Sequence, residues 1–221
     1  MPFSKKSLLI KSTFVATLMG AALLVNAHAI PITVAGDPIF AGQLGGGFFT
    51  IDNNSPGNEQ VPKVIDGNSN TKYLNFSKEN TGYFVTPNIG SSTVTGINFT
   101  TANDTPGRTP SSFSLYGSNT ATPIPGEAIV YSIEDFMLIS GGPLFLSSDP
   151  FVSSSISFPN TLPFESYILV FPSIKDSGAN SMQIAEAVLT GTVPDKGSTL
   201  ALMVLSIASL GVIGMYRRSA A

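Results

Sequence analysis

The side chains able to do acid–base or nucleophilic chemistry are few and scattered. His28 is the only histidine, and there is no cysteine. Glu134-Asp135 is a pair of adjacent carboxylates. In an extended strand such neighbours point to opposite faces and cannot flank one bond. Asp104 lies in the turn Asn103-Asp104-Thr105-Pro106, with Arg108 just beyond. It is a single acid with no second group to exchange a proton with. Ser69-Asn70-Thr71-Lys72 has the Ser-x-x-Lys spacing, but no Lys-Thr-Gly element accompanies it. Gly45-Gly46-Gly47 precedes no helical pattern, so it is not a phosphate-cradling loop. Two further carboxylates suit a cation better than a reaction. Asp66 opens an Asp-Gly turn step, and Glu186 is a lone acid in the otherwise apolar stretch 183–190. If that face is buried, Glu186 needs a cation or a proton. The plainer reading is a tight turn at Asp66 and a water-facing Glu186 on an edge strand.

What positions these residues depends on how much of the 221-residue chain is domain. Hydrophobic residues make up 43% and charged residues 11%, and the apolar excess sits mainly at the two ends. Lys5, Lys6 and Lys11 form a basic start, residues 13–25 are almost wholly apolar, and Ala27-His28-Ala29 is a small-x-small cleavage box. Residues 1–29 therefore read as a secretion signal, handled by a translocon and signal peptidase, with Ile30 the mature N-terminus. The apolar run is short for an uncleaved anchor. Cleavage removes the only histidine. It leaves no equipment for zinc ligation through Cys or His, a histidine base, a Ser-His triad or a thiolate nucleophile, and the chain reads as a non-enzyme. Without disulfides, the domain must rest on its core or on a bound hard cation.

Between Ile30 and Gly191 five basic residues stand against thirteen acidic ones, a net of −8. An acidic body with no Lys/Arg cluster repels phosphate backbones, which excludes nucleic acid as a partner class.

The C-terminal end carries an uncharged apolar run of seventeen residues, 200–216, followed by Arg217 and Arg218. As a helix it is about 25 Å long, at the low end of a bilayer span. The two arginines act as a cytoplasmic stop, which places everything before residue 200 outside the inner membrane. Ahead of the run stands Val193-Pro194-Asp195-Lys196-Gly197-Ser198-Thr199. Motif, apolar run and basic end together make a tail, 192–221, that resembles a bacterial PEP-CTERM sorting signal of the Val-Pro-Asp, Gly-Ser-Thr variant. The usual Pro-Glu dipeptide is Pro194-Asp195 here. The resemblance implies recognition and cleavage by an exosortase: an exported bacterial protein, transiently membrane-anchored, then placed at the cell surface or outside it. A plain anchor would have no need of that lead-in.

The middle is rich in Gly, Pro, Ser, Thr and Asn, with short apolar and β-branched runs between turn clusters. Residues 30–58 read as a Gly-rich lead-in with one edge strand at Phe48, Phe49 and Ile51. Over 59–191 the pattern predicts strands at 82–86, 93–101, 112–118, 128–133, 152–158, 167–171 and 183–190. Turns are expected at Pro87-Asn88, Asn103–Gly107, 123–126, Gly141-Gly142-Pro143 and Asp176-Ser177-Gly178. Within 112–118, Phe113, Leu115 and Gly117 share one face, with Ser114 and Tyr116 on the other. No amphipathic helix pattern occurs between the ends. These features argue an all-β sandwich.

Val64-Ile65-Asp66-Gly67-Asn68-Ser69-Asn70-Thr71-Lys72-Tyr73 is similar to the Asp-Gly-x-x-x-Thr-x-aromatic segment of galactose-binding-like, or discoidin (coagulation factor 5/8 type C-like), jelly rolls. The pieces around 96–104, 112–119, 167–171 and 182–191 follow in the family's order, so the resemblance covers roughly residues 60–191. It implies a jelly-roll β-sandwich with a structural Ca²⁺ held by Asp66, Asn68, Thr71 and Glu186. It also implies a ligand end that most often takes carbohydrate, such as surface polysaccharide. The candidates there are Tyr73, Phe76, Tyr83 and Arg108, each of which could equally be a structural residue. The chain has no tryptophan, and Tyr73 stands where the family often has one. Two functions stay open: a carbohydrate-binding surface module, or a structural spacer of the surface or biofilm matrix with no specific small ligand.

Overall fold

The structure, a computed structural model, describes residues 29–120 and 129–194. Thirteen strands carry the fold: β1 (Ile30–Pro31), β2 (Ile39–Gly45), β3 (Phe48–Ile51), β4 (Tyr73–Asn75), β5 (Thr81–Val85), β6 (Thr93–Thr100), β7 (Ser112–Ser118), β8 (Val130–Ser132), β9 (Met137–Pro143), β10 (Ser153–Ser157), β11 (Ser166–Phe171), β12 (Met182–Ile184) and β13 (Glu186–Thr192). Short 3₁₀ helices at Val61–Ile65, Pro106–Arg108 and Ile133–Asp135 are the helical elements among the described residues. The strands form a four-stranded sheet ordered β1-β13-β6-β10 and a seven-stranded sheet ordered β8-β3-β2-β5-β11-β7-β9, with β12-β4 as a separate pair. Every pairing is antiparallel. The chain is the all-β sandwich that its turn spacing predicts.

The main core lies between the sheets. Ile97, Phe99, Ala187 and Leu189 meet Tyr83, Val85, Phe113, Leu115, Leu169 and Phe171 there. A second cluster, Phe49, Phe84, Phe136, Ile168 and Val170, covers the outer face of the larger sheet. Phe84 meets Tyr131 and Phe136 edge-to-face at 4.8 and 5.6 Å, geometry the ring quadrupoles favour. Strands β5 and β11 are thus buried on both faces, which is why they read as unbroken apolar runs instead of alternating ones.

Four expectations change. The stretch 30–58 is built into the sandwich: β1 pairs with β13, and β2 lies inside the larger sheet between β3 and β5. The Phe48-Phe49 patch forms β3, which is not an edge, because β8 pairs outside it. Glycine here serves packing, since a Cβ on Gly42 would meet the Phe49 ring at 2.5 Å. Gly141-Gly142-Pro143 ends strand β9 instead of forming a turn. Finally, 183–190 is two strands broken at Ala185, so β12 joins β4 while β13 joins β6.

Strand registers sort the loops. Glu186 and Ser153 both stand opposite Thr100 at the end of β6, and Phe171 stands opposite Thr81. Pro110 bridges to Ile174, and Asp176 N–H donates to the Gly107 carbonyl. The loops 66–72, 101–111, 144–152 and 172–181 therefore gather at one end. Ile30 pairs with Gly191 at the other, so both ends of the domain leave together.

Candidate functional site

The loop end holds two acidic groupings. The first joins the Asp66 loop to the start of β13. Asp66 closes the 3₁₀ helix Val61–Ile65, and Gly67 follows at φ +74°, a left-handed conformation open to glycine. That step turns the chain so that Asn68 N–H donates both to Asp66 Oδ1 and to Glu186 Oε1, each at 2.9 Å. Thr71 Oγ1 lies 2.8 Å from Asp66 Oδ2 and 2.9 Å from the Asn68 carbonyl. Asn68 Oδ1 accepts from Asn70 N–H at 3.1 Å. Lys63 Nζ stands 3.4 Å from Asp66 Oδ2, a half-exposed pair that contributes little.

Glu186 is only 7% exposed, so the water-facing alternative is not what the fold adopts. Burial pushes its carboxyl up to about 7, and hydrogen bonding with Asp66 and that residue's charge push the same way. Its Oε2 is buried and finds no hydrogen-bond partner among the described residues. Two facing carboxylates, one orphaned buried oxygen, the Thr71 hydroxyl and the Asn68 carbonyl form an all-oxygen set short of positive charge. That donor set fits a hard cation. Among the described residues no group of three or more His, Cys, Asp or Glu side chains gathers, so such an ion would depend on neutral oxygens for most of its shell.

The second grouping is neutralised from within. Lys72, one residue past Thr71, is buried, and its ammonium donates to Asp104 Oδ1 and Oδ2 at 2.9 and 3.0 Å and to Gln183 Oε1 at 3.2 Å. Glu59 Oε1 is 3.5 Å away. Desolvation opposes ionisation of Asp104, but the hydrogen bonds of Lys72 and Gln183 and the charges of Lys72 and Arg108 hold its carboxyl below the usual range. The lysine that completes a Ser-x-x-Lys match in sequence is therefore an ion-pair anchor for the 101–111 loop. Nothing in the sequence pairs it with Asp104, thirty-two positions away.

The ligand candidates divide. Tyr73 and Tyr83 are fully buried and do not reach the surface. Tyr73 Oη donates to the Gly82 carbonyl at 3.1 Å, and Tyr83 Oη to the Ala187 carbonyl at 2.6 Å. Burial pushes both phenols above their ordinary range. Both are core residues, as strand alternation sends Tyr83 inward beside Val85. Phe76 is 47% exposed beside this loop end, and Arg108 is half-buried with its Nε lacking a partner among the described residues. Glu134 and Asp135 are exposed on the 3₁₀ helix Ile133–Asp135, not on a strand as expected. Of the sorting motif, Val193 and Pro194 close the described chain. Asp195, Gly197, Ser198, Thr199, the apolar run, Arg217, Arg218 and the signal segment 1–28 lie outside the described residues.

Two antiparallel sheets closed over an aromatic core, with an Asp-Gly loop pinned to the last strand, make an all-β sandwich. The fold is similar to the family 32 carbohydrate-binding module of C. perfringens NanJ, solved in complex with galactose. The two are 14% identical over 74% of this chain and 99% of that one, with a TM-score of 0.52. The CBM32-1 and CBM32-2 domains of Clostridium perfringens ZmpB give 17% identity over 76% of this chain and 42% of that one, also with a TM-score of 0.52. At such identities the likeness establishes the fold. No family model matches the sequence, and no curated protein does either.

Proposed function

We propose that this is an exported, non-catalytic surface protein whose jelly roll binds carbohydrate through its loop end, with a structural calcium ion holding that end in shape. The observation that supports the reading is the fold itself, shared with a module solved on galactose, together with an open loop end carrying Phe76 and Arg108. Asp66 and Glu186 would hold the ion with their carboxylates, helped by Thr71 and Asn68 and by loop carbonyls. Its work would be neutralisation: it would replace a proton on Glu186 and tie the loop to β13 in a domain without disulfides. The secretion signal and the sorting tail with its exosortase give the address, the cell surface or extracellular matrix of a bacterium, reached after transient anchoring in the inner membrane.

A glycan array probed with and without a chelator tests the binding reading. Retention on hexose-terminated glycans, weakened by chelation, is expected. Silence across all glycans with calcium present overturns it in favour of a structural spacer, a reading favoured by the burial of Tyr73 and Tyr83 and the lack of tryptophan. The sorting reading is tested by mass spectrometry of the mature C-terminus: a tail retained uncut in exosortase-bearing cells overturns it.

A further inference from the structure

Outside the residues singled out by sequence, the 144–151 segment presents two exposed aromatics, and its Ser148, Asp149 and Pro150 line a polar cleft. Phe145 is 91% exposed, while its neighbours Leu144 and Leu146 are buried at 4% and 7%. An apolar ring in that position is held out of the core by the two leucines that plug into it. The backbone around it is fastened. Leu144 N–H donates to the Ser111 carbonyl at 2.8 Å, and Lys175 Nζ donates to the carbonyls of Leu146 and Ser147 at 2.7 and 2.8 Å and lies 3.2 Å from Ser148 Oγ. Further on, Thr101 Oγ1 donates to the Asp149 carbonyl at 2.7 Å, and Phe151 N–H donates to the Thr101 carbonyl at 3.1 Å. Phe151 is itself 45% exposed.

Between this segment and the 101–109 loop lies a cleft of about 120 Å³ whose lining includes Asn103, Asp104, Ser148 and Asp149. An aromatic on a fastened backbone has few side-chain torsions to order when a ligand lies on it. Carboxylate, amide and hydroxyl groups beside it accept and donate hydrogen bonds in the pattern a polyol offers. The nearby lysines are already engaged, Lys72 on Asp104 and Lys175 on the loop's carbonyls, while the half-buried Arg108 adds its charge beside Asp104. Among the described residues Arg108 is then a single cation beside two carboxylates, Asp104 and Asp149, too little positive charge to favour a phosphate, sulfate or uronate over a neutral ligand.

We infer that Phe145, three residues before the Ser148–Pro150 wall of the Asn103–Asp104–Asp149 cleft, forms with that cleft a binding subsite for a neutral saccharide. The apolar face of a sugar ring lies against Phe145, and its hydroxyls bond into the cleft. This rests on the carbohydrate-binding reading above and names where and what that end recognises.

The test uses the full-length chain in mild detergent on an array of neutral, sulfated and uronic-acid glycans, followed by titration of the best neutral binder. Wild type and the variants Phe145→Ala, Phe145→Trp and Asp149→Asn are compared, with thermal melting of each. Phe145→Ala should weaken binding roughly tenfold, the scale of one aromatic contact, with melting unchanged. Phe145→Trp should retain binding or tighten it, and Asp149→Asn should weaken it. Binding by Phe145→Ala within twofold of wild type overturns the subsite while leaving the carbohydrate reading standing. Binding confined to sulfated or uronic-acid glycans overturns the neutral class. A wild type silent on every glycan overturns the carbohydrate reading itself, and the subsite with it.

Discussion

Two acidic groupings sit at the same end of this sandwich and solve the same electrostatic problem differently. At Asp104 and Glu59 the chain supplies its own counter-charge, the buried ammonium of Lys72. At Asp66 and Glu186 the one cation among the described residues is Lys63, which reaches Asp66 alone from a half-exposed position. There the buried Oε2 of Glu186 is left without a partner among the described residues. The Lys72 site is complete within the fold. The Glu186 site lacks such a counter-charge among the described residues, and the proposed ion, or a proton, would supply it.

The largest way to break the comparison is calcium. At a free concentration a hundredfold above its dissociation constant, the ion should add about 2.7 kcal/mol of stability to the wild type. The gain should disappear in Glu186→Gln, read as the calcium-dependent shift in melting temperature. An equal shift in the variant places the ion elsewhere. Next comes Lys72→Met, which strands Asp104 and Glu59 and should cost about 2 kcal/mol, less than a fully buried pair because Asp104 is half exposed. That loss should be the same with calcium or with chelator, whereas dependence on the ion would show the two groupings act as one. A third way to sharpen the comparison is pH in the presence of chelator. The folded carboxyl of Glu186 is raised to about 7, above the unfolded value of about 4.3. Its contribution is therefore fully present below that lower value and is lost as pH rises through about 7. Melting temperature should fall by a few degrees across that window and then level off. Glu186→Gln should flatten the slope, and a slope that persists in the variant assigns it to another group.

Much of the sandwich was legible because its strands obey a period of two. In β7, Phe113 and Leu115 face the core while Ser114 and Tyr116 face away, as their spacing predicts. Strand β2 was hidden for a physical reason: its glycine reflects a neighbour's ring, and no local pattern announces Phe49 packing across Gly42. The break at Ala185 was hidden similarly, since both halves are apolar and only their different partners separate them. At the site, Asp66 and Glu186 were readable from an Asp-Gly turn and an acid out of place, Asn68 and Thr71 only through the family resemblance, and the structure brings all four together. Tyr73 and Tyr83 were misplaced because a tyrosine in a short strand looks the same whether its hydroxyl finds water or a buried carbonyl. Lys72 and Phe145 left no signal: one depends on a distant loop, the other on two leucines that turn it outward.

The pairing of β13 has a mechanical meaning. Any tension applied through the residues after Thr192 enters a strand flanked on both sides, by β1 and by β6. Seven residue pairs align β13 with β6 along its length. A pull along that axis loads those hydrogen bonds in shear, all together, instead of peeling them one at a time from an edge. The loops at the far end lie away from the line of force, so the domain can be tugged from its base while the surface that faces outward keeps its shape.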